Sequence, residues 1–319
     1  VEVEELWKKL RRPHLMALVG PSGAGKTSFL RAGLLPALPD GWKAVICTPG
    51  TRPFTNLAQA MAREFAGDAE AVSDLLRFEE PDVAIEVLRR WRGGGKEALL
   101  IVDQFEELFT LNPSEVQARF AELLGRVSIE ANIHVLLSMR DDFLFRCSEQ
   151  SALTPVFSEL TPLRAMSPRG LRRALVQPAL KCGYRFEDQS LVDEMVQGVV
   201  EERGALPLLA FAMARLWDRR DRDQGLLTRE AYEEIGGVAG ALAQHAESTI
   251  EQIGSDNLPV VREIFRNLVT AEGTRAVRDR NELLSVFDDQ RSAETVLAAL
   301  IDARLLTSYE WTTGEGESE

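Results

Sequence analysis

The stretch HLMALVGPSGAGKTSFLRAGLL, residues 14–35, decides the fold of this chain. Its centre, residues 20–27, fits the pattern G-x-x-x-x-G-K-[ST], whose backbone cradles the phosphates of a nucleotide. The apolar run before this loop predicts a buried strand, and residues 26–35 predict a helix. This layout suits phosphate binding, because glycines let N–H groups turn inward and a helix N-terminus adds partial positive charge. The stretch therefore predicts a nucleotide-binding site.

The residues of this loop have distinct predicted roles. Lys26 supplies a point charge for the β- and γ-phosphates, and the Thr27 hydroxyl can ligate Mg²⁺. We expect Lys26 to face solvent when no nucleotide is bound. The residues predicted to bind the nucleotide here are Gly20, Pro21, Ser22, Gly23, Ala24, Gly25, Lys26, Thr27 and Ser28.

Composition narrows the class of protein. The chain has 319 residues, with 37 basic and 50 acidic side chains and a net charge of −13. A general nucleic-acid or anionic-membrane surface needs a basic face, so this balance disfavours both partners. The three cysteines are widely spaced and form no metal-binding pattern, which favours reduced thiols and a cytoplasmic location. No apolar run reaches the length of a membrane span, and no signal peptide is recognisable.

The first half of the chain alternates strand and helix patterns. Apolar runs of five to seven residues predict strands, and amphipathic segments between them predict helices. This alternation predicts an α/β fold, a parallel sheet with helices on both faces, whose ligands bind at the carboxyl ends of the strands. The further predicted strands are 43–47, 98–102 and 133–139, and the predicted helices are 54–65, 81–91 and 113–126.

The second half is predicted to be mainly helical. Ser167 followed by Pro168 is typical of a helix start, with Ser167 as the N-cap. Residues 257–309 contain three helix-like segments and a final strand-like run at 305–309, which predicts a winged-helix arrangement. The expected domains are a nucleotide-binding domain at 1–166, a helical domain at 167–235 and a winged-helix-like domain at 236–319.

A second chemical motif is LLIVDQFEEL, residues 99–108. Asp103 follows an apolar strand, where a carboxylate can hold the Mg²⁺ that bridges the terminal phosphates. Glu106 and Glu107 lie one helical turn further on, and either could position or deprotonate the attacking water. The sequence does not choose between them. AAA+ machines usually place the acid directly after the aspartate, and Gln104 stands there instead.

Two further residues are predicted to contact the nucleotide. Arg140 ends the strand-like run 133–139 and can reach a γ-phosphate. Pro207 lies in the run GALPLL, where a proline could also simply begin a helix. The guanine-reading pattern N-K-x-D does not follow the loop, which favours ATP over GTP.

Taken in this order, the motifs resemble the STAND class, signal-transduction ATPases with numerous domains, and within it the bacterial novel STAND type. The resemblance covers nearly the whole chain. The matching stretches are GPSGAGKTSFLRAGLLPAL, TPGTRPFTNLA, LLIVDQFEELFT, LLSMRDDFL, LPLLAFAMARLW, GGVAGALAQHAE and LIDARLLT.

The resemblance implies a switch that holds ADP at rest and rearranges when ATP replaces it. By position, Lys26 and Thr27 match the phosphate-loop residues, Asp103 the Mg²⁺ ligand and Arg140 the γ-phosphate sensor. Pro207 matches a proline that packs near the adenine or ribose. We therefore expect slow ATP hydrolysis and self-association on activation, in bacterial defence or signalling. Full-length relatives carry an N-terminal effector and C-terminal repeats that sense a trigger. The chain starts without methionine and ends in a polar tail, so we expect a part of a longer polypeptide.

Three alternatives compete with an ATP-dependent switch. A fast motor ATPase of the AAA+ kind is disfavoured by Gln104. A non-catalytic nucleotide-binding scaffold is disfavoured by Lys26, Asp103 and the paired glutamates. A DNA-binding regulator that uses a winged helix is disfavoured by the acidic balance.

Overall fold

The protein is described by a computed structural model covering residues 2–10, 15–66, 68–93, 97–200, 205–269, 276, 278–303 and 305–306. The chain divides into two compact units. One consists of Val1–Arg173 with Val199–Pro207, and the other of Ala174–Gly198 with Leu208–Glu319.

A five-stranded parallel sheet organises the first unit. Its order is β2-β3-β4-β1-β5, so β1 lies between β4 and β5, and β4 separates β1 from β3. The parallel sheet predicted from the alternating pattern is confirmed. The fifth strand was not predicted, because it has only three residues and no apolar run of its own. The strands are β1 Leu15–Gly20, β2 Lys43–Cys47, β3 Ala98–Val102, β4 His134–Arg140 and β5 Leu160–Pro162.

Both faces of this sheet are buried. Alternate strand residues point to opposite faces, so Ala17 and Val135 belong to one hydrophobic cluster, whereas Leu18 and Leu136 belong to another. A sheet covered on both sides needs strands that are apolar at every position, which explains the continuous apolar runs. The helices and turns around it include α1 Glu2–Lys9, α2 Lys26–Ser28, a π-helical segment Phe29–Leu34, a 3-10 turn Leu35–Ala37, α3 Pro53–Ala62, α4 Ala69–Leu75, α5 Pro81–Arg92, α6 Glu106–Leu111, α7 Ser114–Glu130 and α8 Leu144–Ser148.

The rest of the chain is mainly helical, as predicted. Gly170 N–H donates to the Ser167 hydroxyl at 3.2 Å, in agreement with an N-cap at that residue. A short parallel pair, β6 Arg185–Phe186 and β7 Leu226–Leu227, was not predicted, since two-residue strands leave no periodic signal. The helices are α9 Pro168–Lys181, α10 Gln189–Gln197, α11 Ala205–Asp218, α12 Arg229–Glu234, α13 Gly237–Ile253, α14 Leu258–Asn267, α15 Arg280–Ser285 and α16 Gln290–Asp302.

The three helical segments predicted near the end are confirmed as α14, α15 and α16. They share a small hydrophobic cluster that includes Ile264, Leu283 and Leu300. The predicted final strand at 305–309 lies mostly outside the described residues, so the winged-helix arrangement stays a prediction. Among the residues that the structure describes, no helix is long and apolar enough to cross a membrane.

Candidate active site

The sheet order brings three predicted site residues to one edge. Gly20 at the end of β1 is the register partner of Arg140 at the end of β4. Val102 at the end of β3 is the partner of Leu137 in β4, and Asp103 follows it directly. Because parallel strands share their carboxyl edge, the phosphate loop, Arg140 and Asp103 meet there, with β4 in the middle.

The phosphate loop runs from β1 to α2 in a conformation that depends on glycine. Gly23 and Gly25 have φ angles of 76° and 88°, in the left-handed region that residues with a Cβ rarely adopt. Gly20 is also constrained, since an added Cβ would lie 3.0 Å from the Leu163 carbonyl oxygen. The helix then begins at Lys26, and Phe29 N–H donates to the Gly25 carbonyl at 2.8 Å. The loop geometry expected from the motif is therefore present.

Lys26 is buried, so the expectation that it faces solvent is wrong. Only 9% of the residue is exposed. Its ammonium group donates to the carbonyl oxygens of Gly20 at 2.8 Å and Pro21 at 3.0 Å. The physical reason is that the phosphate loop folds over Lys26. The carbonyl oxygens of the loop accept the hydrogen bonds of the ammonium group that phosphate oxygens would otherwise accept.

The charges around Lys26 come from the other motifs. Burial lowers the pKa of Lys26 below its ordinary value, and the Arg140 guanidinium acts in the same direction. The carboxylates of Glu106, Asp141 and Asp103 oppose this by favouring the charged form. Two separate stretches of sequence, 103–106 and 140–141, thus place charge within electrostatic reach of one ammonium group.

Asp103 has the features of a cation ligand. The residue is 1% exposed, and its Oδ1 accepts a hydrogen bond from the Gln104 N–H at 3.0 Å. Its Oδ2 is buried and has no hydrogen-bond partner among the described residues. A buried carboxylate oxygen without a donor is costly unless a ligand such as a cation satisfies it. Together with the Thr27 hydroxyl, this oxygen fits the hard-oxygen chemistry that Mg²⁺ requires.

Gln104 gives the chain a sharp turn between the aspartate and the glutamates. Its φ angle is 52°, which is unusual for a residue with a side chain, and the side chain is exposed. Helix α6 begins two residues later, at Glu106. This turn places Glu106 and Glu107 at the start of a helix rather than along the strand.

The two glutamates have different neighbours. Glu106 Oε2 accepts a hydrogen bond from the Arg140 backbone N–H at 3.3 Å. Burial raises the pKa of Glu106, although its own backbone N–H, Lys26 and Arg140 partly oppose the shift. Glu107 Oε2 instead accepts from the Gly50 N–H at 3.3 Å, in the loop after β2. Glu106 is therefore tied to the phosphate-loop lysine and to β4.

The loop that Glu107 contacts is held by two asparagines. Asn112 Nδ2 donates to the Gly50 carbonyl at 2.7 Å, and Asn56 Nδ2 donates to the Pro49 carbonyl at 2.8 Å. These contacts give Glu107 a structural setting that the sequence did not reveal, because the Gly50 N–H that it accepts lies 57 residues away in the chain.

Arg140 is already paired inside its own segment. Its Nε donates to Asp142 Oδ1 at 3.0 Å and its Nη2 to Asp142 Oδ2 at 2.5 Å. The guanidinium carbon also lies 5.4 Å from the centre of the Phe143 ring. The pairing with Asp142 was missed, although the run RDDF was visible beside the predicted arginine.

Pro207 lies in the first turn of α11 and is exposed. Its neighbour Leu206 approaches the phosphate loop, since a Cβ built on Gly25 would lie 3.0 Å from Leu206 Cδ1. Leu206 was not predicted as a site residue, because an apolar residue in a helical run gives no chemical signal.

Comparisons with known proteins agree with this fold. The Walker-type ATPase of Pyrococcus abyssi is 14% identical with a TM-score of 0.56, covering 94% of this chain and 87% of that chain. The Orc1 protein of Aeropyrum pernix, solved in complex with DNA, is 16% identical with a TM-score of 0.52, covering 95% of this chain and 82% of that chain. No curated protein matches significantly.

A parallel sheet whose first strand leads through a glycine-rich, lysine-bearing loop into a helix defines a P-loop nucleoside triphosphatase. The family model described as Novel STAND NTPase 1 matches residues 1–315, and the chain belongs to that family. The resemblance drawn from the motifs is confirmed. The chain is therefore a nucleotide-binding NTP hydrolase.

Proposed function

We propose that this chain is the ATPase core of a molecular switch, in which bound ADP and bound ATP favour different states of a larger protein. The observation that carries the proposal is the cluster of Lys26, Asp103, Glu106 and Arg140 at one edge of the sheet. The Arg140 backbone N–H donates a hydrogen bond to Glu106. The charges of Asp103, Glu106 and Arg140 influence the pKa of Lys26, and those of Lys26 and Arg140 influence the pKa of Glu106. Such a cluster can bind phosphates, hold a cation and activate water.

Binding would be divided between the loop and the cation. The ammonium of Lys26 would exchange the Gly20 and Pro21 carbonyls for phosphate oxygens. The Thr27 hydroxyl and Asp103 Oδ2 would hold Mg²⁺, which supplies charge neutralisation for the terminal phosphates when bound. Pro207 would contact the adenine or ribose. ATP is the proposed substrate, because the guanine-reading pattern does not follow the loop.

Glu106 is the proposed general base, and Glu107 the proposed positioning residue. A base must lie near the phosphates and hold a proton readily, and burial raises the pKa of Glu106 in the direction that favours proton uptake. Glu107 contacts the Gly50 backbone instead. Its role would be to fix the loop after β2.

We further propose slow turnover, below about 1 s⁻¹, the low end for enzymes. Two groups that would stabilise the transition state, Lys26 and Arg140, are engaged with the protein's own oxygens. Each must be exchanged for phosphate in every cycle. Slow hydrolysis suits a switch that controls self-association. In this proposal the core has three domains, at 1–166, 167–235 and 236–319. An effector would precede this core, and a repeat sensor would follow it.

The test begins with the nucleotide that co-purifies with the chain, identified by chromatography after denaturation. Phosphate release from Mg²⁺-ATP should then exceed that of a matched Lys26→Ala protein. Light scattering should detect different assembly with ADP and with a non-hydrolysable ATP analogue. If the parent and Lys26→Ala bind ATP equally and release phosphate equally, the proposal is wrong.

A further inference from the structure

Asp142 occupies one two-donor edge of the Arg140 guanidinium. The carboxylate takes both an Nε–H and an Nη2–H of the guanidinium, at 3.0 Å and 2.5 Å. This is the two-point geometry with which arginine also binds phosphate oxygens. The same pair of donors cannot serve both partners at once. A triphosphate must therefore displace Asp142 before Arg140 can contact it through this edge.

The ion pair between Arg140 and Asp142 can be replaced by a contact between Arg140 and phosphate. Asp142 is two residues from Arg140, so the carboxylate stays close when it is displaced. Its side chain is 46% exposed, whereas that of Arg140 is 18% exposed. A released Asp142 can be hydrated, and a partly exposed ion pair is only weakly stabilising. The ion pair between Arg140 and Asp142 is therefore weak enough for a phosphate group to displace. It is also strong enough to lower the affinity of the site for a triphosphate.

We propose that Asp142 determines the preference of this site between nucleoside diphosphate and nucleoside triphosphate. Its carboxylate competes with the γ-phosphate for Arg140 and does not compete with the α- and β-phosphates, which the loop binds. The resting pair therefore weakens triphosphate binding selectively. This inference rests on the proposed function, specifically on Arg140 as the contact for the γ-phosphate.

The test compares the affinities of ADP and of a slowly hydrolysed ATP analogue by calorimetry, with Mg²⁺ present. Asp142→Asn should raise the preference for the triphosphate by about two- to fivefold, the range that a partly exposed ion pair allows. ADP affinity should hardly change. Asp142→Glu should restore the parental preference at least in part, because it returns a carboxylate to the guanidinium.

Asp141→Asn is the matched control. It removes the same charge one residue away, from a carboxylate that acts on Lys26. Losing it should shift the affinities of both nucleotides in the same direction and leave their ratio close to that of the parent. An equal change of the ratio in Asp141→Asn and Asp142→Asn would overturn the proposal, since general electrostatics would then explain the effect.

A double variant separates this inference from the proposed function. In an Arg140→Ala background, Asp142→Asn should no longer change the ratio. If the ratio still changes there, or never changes in the parental background, Asp142 does not act through Arg140 and the inference is wrong, while nucleotide binding itself stands. If the parent and Lys26→Ala bind both nucleotides equally, the proposed function fails and this inference fails with it.

Discussion

The backbone N–H of Arg140 donates to the side chain of Glu106, with 3.3 Å between the nitrogen and Oε2. One residue ends β4, and the other begins α6, which follows β3. A proposed γ-phosphate contact and a proposed general base therefore share one hydrogen bond. Movement of the end of β4 would therefore change the position of the Glu106 carboxylate.

Lys26→Ala should weaken the binding of both ATP and ADP by about 10- to 100-fold, the range for hydrogen bonds to a charged group. The free protein should keep its free energy of unfolding within about 1 kcal/mol, because lost bonds to two carbonyls are offset by removal of a buried charge. Calorimetry and thermal melting measure the two effects. Lys43→Ala is the control, since Lys43 also donates to a backbone carbonyl, that of Trp91, at the opposite end of the sheet. Parental affinity in Lys26→Ala would exclude this loop as the site.

Asp103→Asn should raise the Mg²⁺ concentration needed for half-maximal hydrolysis by about tenfold or more, because a neutral amide oxygen is a weaker ligand for a hard cation. The amide oxygen can still accept the Gln104 N–H, so the fold should persist. Nucleotide affinity measured in EDTA provides the internal control and should match the parent. An unchanged Mg²⁺ requirement would remove Asp103 from the cation site.

Glu106→Gln and Glu107→Gln form a matched pair that separates the two carboxylates. Glu106→Gln should lower turnover by about 10²- to 10⁴-fold while ATP still binds, as expected for loss of a general base. Glu107→Gln should stay within about fivefold of the parent, because glutamine keeps the length of the side chain and its amide oxygen can still accept the Gly50 N–H. Single-turnover phosphate release measures both. The reverse order of effects would exchange the two assignments.

The pH dependence of turnover should also depend on Glu106. Burial raises the pKa of this carboxyl, and a general base acts only when it is deprotonated. Activity should therefore decline, as the pH falls, at a higher pH than an exposed glutamate would allow. The residual activity of Glu106→Gln should lack this acidic limb when substrate is saturating. An identical limb in that variant would assign it to another group.

Arg140→Ala should weaken binding of a non-hydrolysable ATP analogue by about tenfold and change ADP affinity by less than about threefold, because only the triphosphate offers a γ-phosphate. Solution scattering should show a smaller difference between the two nucleotides than in the parent. Arg146→Ala is the control, since Arg146 is an exposed arginine nearby that pairs with Glu149. Equal losses for ADP and the analogue would contradict a sensing role.

The sequence by itself determined the parallel sheet, the phosphate loop and the family. These signals are local, because a buried strand, a glycine turn and a helix start each depend on residues that are neighbours in the chain. Strands β2 and β3 have the predicted bounds, residues 43–47 and 98–102. The apolar run of β3 follows from burial on both faces, since every residue of that strand is buried.

Only the tertiary structure decided what each charged side chain contacts. Adjacent glutamates look alike in the sequence, yet the turn at Gln104 and the position of β4 direct Glu106 to Arg140 and Glu107 to Gly50. Lys26 likewise proved to be buried under its own loop. The physical reason is that burial and pairing depend on which strands are neighbours in the sheet. The order of the strands sets the distances between residues 20, 103 and 140, and their spacing in the chain does not reveal that order.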